Sequence, residues 1–467
     1  MKKLNVVLSV MLLLAMLLTA CGQATVTEAP AVVATEAPAV VATEAPAVVA
    51  TEAPTEVAPV YPETFTVWYK KEFTQETLDI VTQWAKEFGE LKGVKVDLTF
   101  VTMADAPSIY VSAIESGTTP DVAMVPFWGP PRYNNMGALT EVTDLAKEIG
   151  EANGGWLPSS ETAVTFDGKM FGIPWANVTE PLFLRTDVME ALGYTDRPQT
   201  FEELKEFAKK ATEYGKGELF GWGITYNRSD DGHLMTQQIL WNFGSQTTGE
   251  DGKKVTFNSP ESIAACEYMK DIYQYAAPGT IGWTDSGNNQ AWLAGTIAVT
   301  GNGPSIWYAL NQPDADPVLK ANTHLYDWPE GPTGISTTLA EAFSWVVFSE
   351  DPGTVALAEE WFRYIYEPAR YDLIAKSSWA QEGPAHARGM ATDFMQQGDF
   401  ADLRKAIERS SVQGFPGPYT VAAADVASEY IFPDMMVSVI VDGKTCEEAV
   451  LKAHQKIQMI YARYNKY

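Results

Sequence analysis

The chain has 467 residues, with 60 acidic and 33 basic side chains and a formal net charge of −27. A surface so acidic repels phosphate backbones, which excludes nucleic acid as a partner. Three cysteines are too few for a disulfide scaffold, and the length allows two domains with substantial cores.

The first elements in chain order are not part of a fold. Lys2 and Lys3 precede an apolar run from Val6 to Leu18, which ends at the small residues Thr19 and Ala20. This is the three-zone pattern of an export signal, and the run is too short to span a bilayer, which takes about 20 apolar residues. Leu18-Thr19-Ala20-Cys21-Gly22 resembles the bacterial lipoprotein signal, which implies cleavage after residue 20 and acylation of Cys21. Several acyl chains hold a protein on a membrane where one does not, because each buried methylene contributes about 0.8 kcal/mol. The phrase TEAPAVVA then repeats from Thr27, Thr35 and Thr43, with a truncated TEAP at Thr51. Its prolines oppose helix and sheet, so residues 21–62 read as a tether, spanning about 35 Å as a flexible coil and up to about 125 Å if extended.

From residue 63 onward the pattern is α/β. Strands are predicted at Phe65 to Tyr69, Val94 to Val101 and Asp121 to Pro126. Helices are predicted at Glu76 to Phe88 and Ile109 to Ser116 between them, an alternation that implies crossover connections and a parallel sheet. Further along, Thr200 and Thr445 open capping boxes, and Ser259-Pro260 and Asp351-Pro352 mark helix starts. Strands are also predicted at Thr296 to Thr300 and Phe343 to Phe348. Cys266 reads as a core residue on a helix and Cys446 lies at a helix start; outside the cytosol the two could form one bridge, if their backbones approach.

Chemistry-bearing motifs are sparse. His233, His324, His386 and His454 have no metal-ligand spacing, and there is no nucleophile elbow or phosphate loop, so neither metal nor cofactor is expected. Adjacent carboxylates occur at Asp230-Asp231, Glu202-Glu203 and Glu359-Glu360, the last two pairs on solvated helix faces. The conspicuous residue is tryptophan, with 14 copies. Trp222, Trp241, Trp345 and Trp361 lie in core-like runs. Trp128 ("PFWGPP"), Trp175 ("IPWAN"), Trp283 ("IGWTDSGNN"), Trp307 ("GNGPSIW") and Trp379 ("SSWAQEGP") lie beside chain breaks. Aromatic faces with acidic or amide neighbours suit a ligand that has apolar faces and many hydroxyls, which describes a sugar.

"AIESGTTPDVAMV", "DGKMFGIPW" followed by "LFLRTDVMEALG", "RPQTFEELKEFAKKA" and "WLAGTIAVTGNGPSIW" resemble, in this order, segments of the extracellular solute-binding proteins of ABC importers, family 1, the maltose-binding-protein-like group. The resemblance covers about Phe65 to Tyr464 and departs from the family pattern at Leu184-Arg185 and in "STTLAEAFSW". It implies a two-lobed periplasmic-binding-protein fold of type II, each lobe a mostly parallel sheet flanked by helices. The first lobe is expected at about 63–180 and 338–380, and the second at about 181–337 and 381–467. Crossings between lobes are expected near Ile173 to Phe183 and Thr337 to Trp345.

The resemblance also implies a carbohydrate ligand, the permease subunits of an ABC importer as partners, and no catalysis. The protein is expected to be a monomer outside the cytoplasm, anchored to the cell membrane through Cys21. The expected ligand residues are Tyr69, Trp128, Asp231, His233 and Trp307, with Trp175, Trp283, Glu341 and Trp379 as further candidates. Trp128 and Trp307 are expected to clamp a sugar between the lobes. Two alternatives stay open: a surface glycoside hydrolase using a carboxylate pair, or the same fold holding a non-sugar solute such as a polyamine.

Overall fold

The computed structural model describes residues 59–464; the export signal, Cys21 and the repeat lie outside the described residues. The first strands are β1 (Thr64–Lys70), β2 (Lys95–Val101) and β3 (Val122–Val125), separated by the helices Gln75–Lys92 and Ala106–Ser116. The first helix buries Leu78, Val81, Trp84, Ala85 and Phe88 along one stripe. It stops at Gly93, whose φ of 70° favours a residue without a Cβ.

The chain then supplies β4 (Ile173–Val178), β5 (Leu182–Arg185), β6 (Val299–Gly301), β7 (Thr323–Tyr326), β8 (Glu341–Val347) and β9 (Gly383–Pro384). One six-stranded sheet has the order β9-β4-β8-β3-β1-β2. β1 runs parallel to β2 and β3, but β8 is antiparallel to β3 and β4, and β9 is antiparallel to β4. The sheet is therefore mixed rather than mostly parallel. Only the β1 to β3 stretch is built from successive helical crossovers; β8 and β9 return from later chain segments and insert in the opposite sense. A second sheet, β6-β5-β7, is antiparallel in both pairings. It is extended by parallel bridges from Phe220 to Ile297 and from Trp222 to Ala276.

Two large apolar cores follow from these sheets. One gathers Phe65, Trp84, Phe88, Trp175, Trp345 and Trp361. The other gathers Leu182, Trp222, Trp241, Cys266, Phe432, Cys446 and Ile460. The chain leaves the first sheet after Val178 and enters the second at Leu182, so residues 179–181 cross between cores. It returns through Leu339, in the second core, to Ala340 and Ala342 in the first. The short helix Val421–Ser428, VAAADVAS, puts Ala423 and Ala424 in the first core and Ala422 and Val426 in the second. Its small side chains let both cores approach one helix.

The predicted helix starts are present. Thr200, Ser259 and Asp351 each accept a hydrogen bond from the backbone N–H three residues on. Thr445 and Glu448 bond each other's backbone N–H reciprocally, at 3.2 and 3.3 Å. Cys266 and Cys446 form a disulfide within the second core, joining positions 180 residues apart with Cα atoms 5.8 Å from each other. A link closing so long a loop stabilises a fold by on the order of 2–5 kcal/mol.

Candidate functional site

The segment that follows β3, Pro126 to Arg132, forms one wall of a cavity of about 510 Å³. Its opposite wall is the start of the helix Asp230–Asn242, with Ser229, Asp230 and His233, joined by Thr284 and Asp285. Tyr430 completes the lining. Tyr430 has φ 55°, an unusual conformation for a residue with a Cβ, at the junction between the helices Val421–Ser428 and Ile431–Ile440. That turn directs its hydroxyl to Asp230 Oδ1, to which it donates at 3.2 Å.

Trp128 stands on the first wall, 6% exposed, with its ring edge-on to Tyr133 and the Arg132 guanidinium 5.4 Å from its centroid. His233 faces it from the second wall. Its Nε2 is 3.0 Å from Gln413 Nε2, while the buried Nδ1 has no partner. Burial lowers the His233 pKa to about 4, so the ring is neutral at physiological pH. Asp231 lies behind it, its Oδ2 accepting from Asn288 Nδ2 at 2.9 Å and its backbone N–H donating to Asp285 Oδ1 at 3.1 Å.

Carboxylates gather around this wall, with Arg132 and Arg228 also on the lining. Glu341, first residue of β8, is half-buried in register opposite Val178, two residues before Glu180. Glu180 is buried, and its Oε2 has no hydrogen-bond partner. Burial, reinforced by Asp285, raises Asp230 to about 6; burial, reinforced by Asp230 and opposed by Lys70, raises Glu341 to about 8. Asp231 and Glu180 are pushed up by burial and then by the neighbouring carboxylates. None of Glu180, Asp230, Asp231, Asp285 and Glu341 has an ion-pair partner among the described residues.

The remaining sequence-predicted residues fall elsewhere. Tyr69 and Trp175 are 0% and 1% exposed and belong to the first core, not to the cavity wall. The reason is Glu382: Tyr69 Oη donates to its Oε2 at 2.8 Å and Trp175 Nε1 donates to the same oxygen at 3.0 Å. The Trp175 ring is packed edge-on by Trp345, Tyr366 and Tyr371. Trp283 and Trp307 are half-buried against a small third core around Trp292. The carbonyl of Trp283 anchors Asn227 Nδ2 at 3.1 Å, and the next two residues reach the cavity. Trp307 does not line that cavity, nor does Trp379, whose φ is 54°. Trp379 instead approaches Tyr308, at 6.5 Å between centroids, and Tyr308 meets Phe73 at 5.0 Å. The structure therefore brings Trp128 and His233 onto one cavity, with Asp231, Glu341 and the Trp283 loop beside it.

Three comparisons with known proteins bear on this geometry. The family model for bacterial extracellular solute-binding proteins matches residues 74–370. The chain belongs to that family. Such proteins act outside the cytoplasm, a setting in which the buried disulfide persists. Among the described residues no helix is long and apolar enough to cross a membrane. This solute-binding protein is 28% identical over 199 residues to a "probable ABC transporter-binding protein" of Deinococcus radiodurans, covering 41% of this chain and 46% of that one. It is 26% identical to the diacetylchitobiose binding protein DasA of Streptomyces coelicolor, over 44% of this chain and 47% of that one. It is 24% identical to the maltodextrin-binding protein MdxE of Bacillus subtilis, over 53% and 57%. The alignments thus span about half the length of each curated relative. The fold matches the maltose-bound MalE3 of T. maritima at a TM-score of 0.72 and 19% identity, over 85% of this chain and 99% of that one. A sugar transporter from Arthrobacter chlorophenolicus with bound laminaribiose matches equally, at 0.72 and 14% identity, with the same shares covered.

Proposed function

We propose that this solute-binding protein captures a sugar or oligosaccharide in the cleft between its two cores and delivers it to the permease of an ABC importer. The observation that carries this reading is the cavity itself, where an aromatic wall at Trp128 faces carboxylates at Asp230 and Asp285. Apolar ring and hydroxyl acceptors on opposite walls match the two kinds of surface a sugar presents. The printed names of the relatives, with maltodextrin and diacetylchitobiose as their ligands, support the same class. Two chain crossings between the cores, at residues 179–181 and 339–340, are the joints around which lobes of this kind close.

The protein acts as a monomer, tethered by acyl chains on Cys21 and freed by the proline-rich repeat to reorient toward the permease. Tethering raises the effective concentration of receptor at its membrane partner. Cys21→Ser is expected to move the intact protein into the soluble fraction; retention on washed membranes would sink the anchor.

Calorimetric titration of a panel of disaccharides and longer oligosaccharides tests the ligand class. Saturable binding with a rise in melting temperature is expected, since ligand at 100 times its dissociation constant adds about 2.7 kcal/mol of stability. New reducing ends after prolonged incubation with those oligosaccharides would instead favour a glycoside hydrolase.

A further inference from the structure

Five carboxylates stand on one side of the cleft, and every nearby cation is already committed to a different acid. Lys70 Nζ lies 2.6 Å from Glu72 Oε1. Arg132, on the cavity wall, pairs with Asp425 at 2.9 Å and also donates to Ser428 Oγ. Arg228, on the same lining, turns away to Asp434 at 3.7 Å. Among the described residues Glu180, Asp230, Asp231, Asp285 and Glu341 form no ion pair, although Lys70 acts on Glu341 from a distance.

The protein satisfies part of this site and leaves the rest open. Tyr430 donates to Asp230 and Asn288 to Asp231. Glu180 is only 7% exposed, and its Oε2 accepts nothing. Burial, and then the charges of Asp231, Glu341, Asp285 and Asp230, push its carboxyl up, and the strand register sets it two residues from the partner of Glu341. On the wall itself, His233 is 2% exposed with an unpartnered Nδ1. A buried polar atom without a partner is costly, and one bordering a cavity can be completed by a ligand.

A metal ion does not fit this need. Among the described residues no three Asp, Glu, His or Cys side chains converge tightly enough to hold one. Neutral hydroxyls could donate to individual oxygens, yet they would not relieve the mutual repulsion that pushes these carboxyls toward protonation, whereas a cation would. An organic ammonium brings positive charge and up to three donors together, and its surrounding carbon skeleton can lie on the Trp128 ring. We propose that the ligand of this cleft bears a protonated amine, an amino sugar rather than a neutral oligosaccharide, held by Glu180, Asp230 and Asp285. This rests on the sugar-binding reading above and narrows it.

The experiment is equilibrium binding of the full-length protein at about pH 6, where an aliphatic amine is protonated. Four probes are used: the β-1,4-linked glucosamine disaccharide, its N-acetylated counterpart, cellobiose and spermidine. The amine disaccharide is expected to bind at least about tenfold more tightly than either neutral sugar, the increment of one charge-assisted hydrogen bond. Glu180→Gln and Asp285→Asn should each remove most of that preference, weakening the amine disaccharide by more than they weaken cellobiose. Asp285→Asn is the safer variant, since Asp285 is exposed and carries no core packing. Neutral sugars binding as tightly as the amine, or a preference unchanged in both variants, would overturn the proposal and leave the sugar reading standing. Spermidine binding without any sugar binding would keep the ammonium and remove the sugar. No response to either cationic probe at millimolar concentration overturns the proposal outright.

Discussion

Two buried polar clusters, one beneath the first sheet and one at the cleft, are built from the same residue types and reach opposite states. In the first, Glu382 collects hydrogen bonds from Tyr69 and Trp175, and Lys70 sits against Glu72 and 4.3 Å from the centre of the Phe343 ring. Its cation and anions are internal, and aromatic rings seal it. In the second, the carboxylates outnumber their donors, no cation joins them, and polar atoms of Glu180 and His233 are left open. An internal cation and shared aromatic donors separate the cluster that holds the fold from the one that awaits a ligand.

The largest effect that could break this contrast is at Trp175. Trp175→Ala should cost about 3–5 kcal/mol of fold stability, because it empties a sealed core and removes a donor from Glu382. The fraction that still folds should bind sugar with unchanged affinity. Chemical denaturation together with calorimetry reads both, and a loss of affinity as large as the loss of stability would erase the distinction.

Trp128→Ala should behave in the reverse way. Truncating a central aromatic anchor costs on the order of 2 kcal/mol of binding, about thirtyfold in Kd. If affinity is kept and only the melting temperature falls, Trp128 is core like Trp175. A smaller probe is Tyr69→Phe, which deletes one hydroxyl donor and should destabilise by about 1 kcal/mol with no effect on binding, measured by the denaturation midpoint.

The smallest effect is a slope with pH. The Glu341 pKa is raised from 4.5 to about 8 in the fold, so folding takes up a proton between those values. Stability of the unliganded protein should therefore rise as pH falls from 8 toward 6.5. Below 6.5 the buried His233 and His386, lowered to about 4 and about 3, oppose the trend, since the unfolded chain then binds their protons. Glu341→Gln should flatten the melting-temperature profile between pH 6.5 and 8; an unchanged slope would show that Glu341 is not the titrating group.

Local patterns made much of the fold legible. The predicted strand Phe65 to Tyr69 lies within Thr64–Lys70, the helix Glu76 to Phe88 lies within Gln75–Lys92, and the capped starts at Thr200, Ser259, Asp351 and Thr445 bond as expected. These depend on side-chain periodicity and on residues three apart. Antiparallel insertion of β8 and β9 depends on partners over 150 residues away, so no local pattern announces it. The site divides in the same way. Trp128 is marked in the sequence by residue type beside a chain break and His233 by the family resemblance, but the type and setting of Trp128 also describe Trp175, which Tyr366 and Tyr371 enclose. Asp285, Tyr430 and Glu180 were missed because they stand out only once three distant loops meet. The adjacent pair Asp230-Asp231 and the candidate Glu341 are the signs of that acidic wall in the sequence.

The helix Val421–Ser428, shared by both cores, also governs when the molecule can fold. The first core needs Ala423 and Ala424 beside Phe65, and the second needs Ile460 and Tyr461 beside Leu182. A chain emerging from its N-terminus therefore cannot complete either core until residues 421–461 have been made. Such long-range closure slows folding, because loop-closure entropy is spent before the distant contacts form.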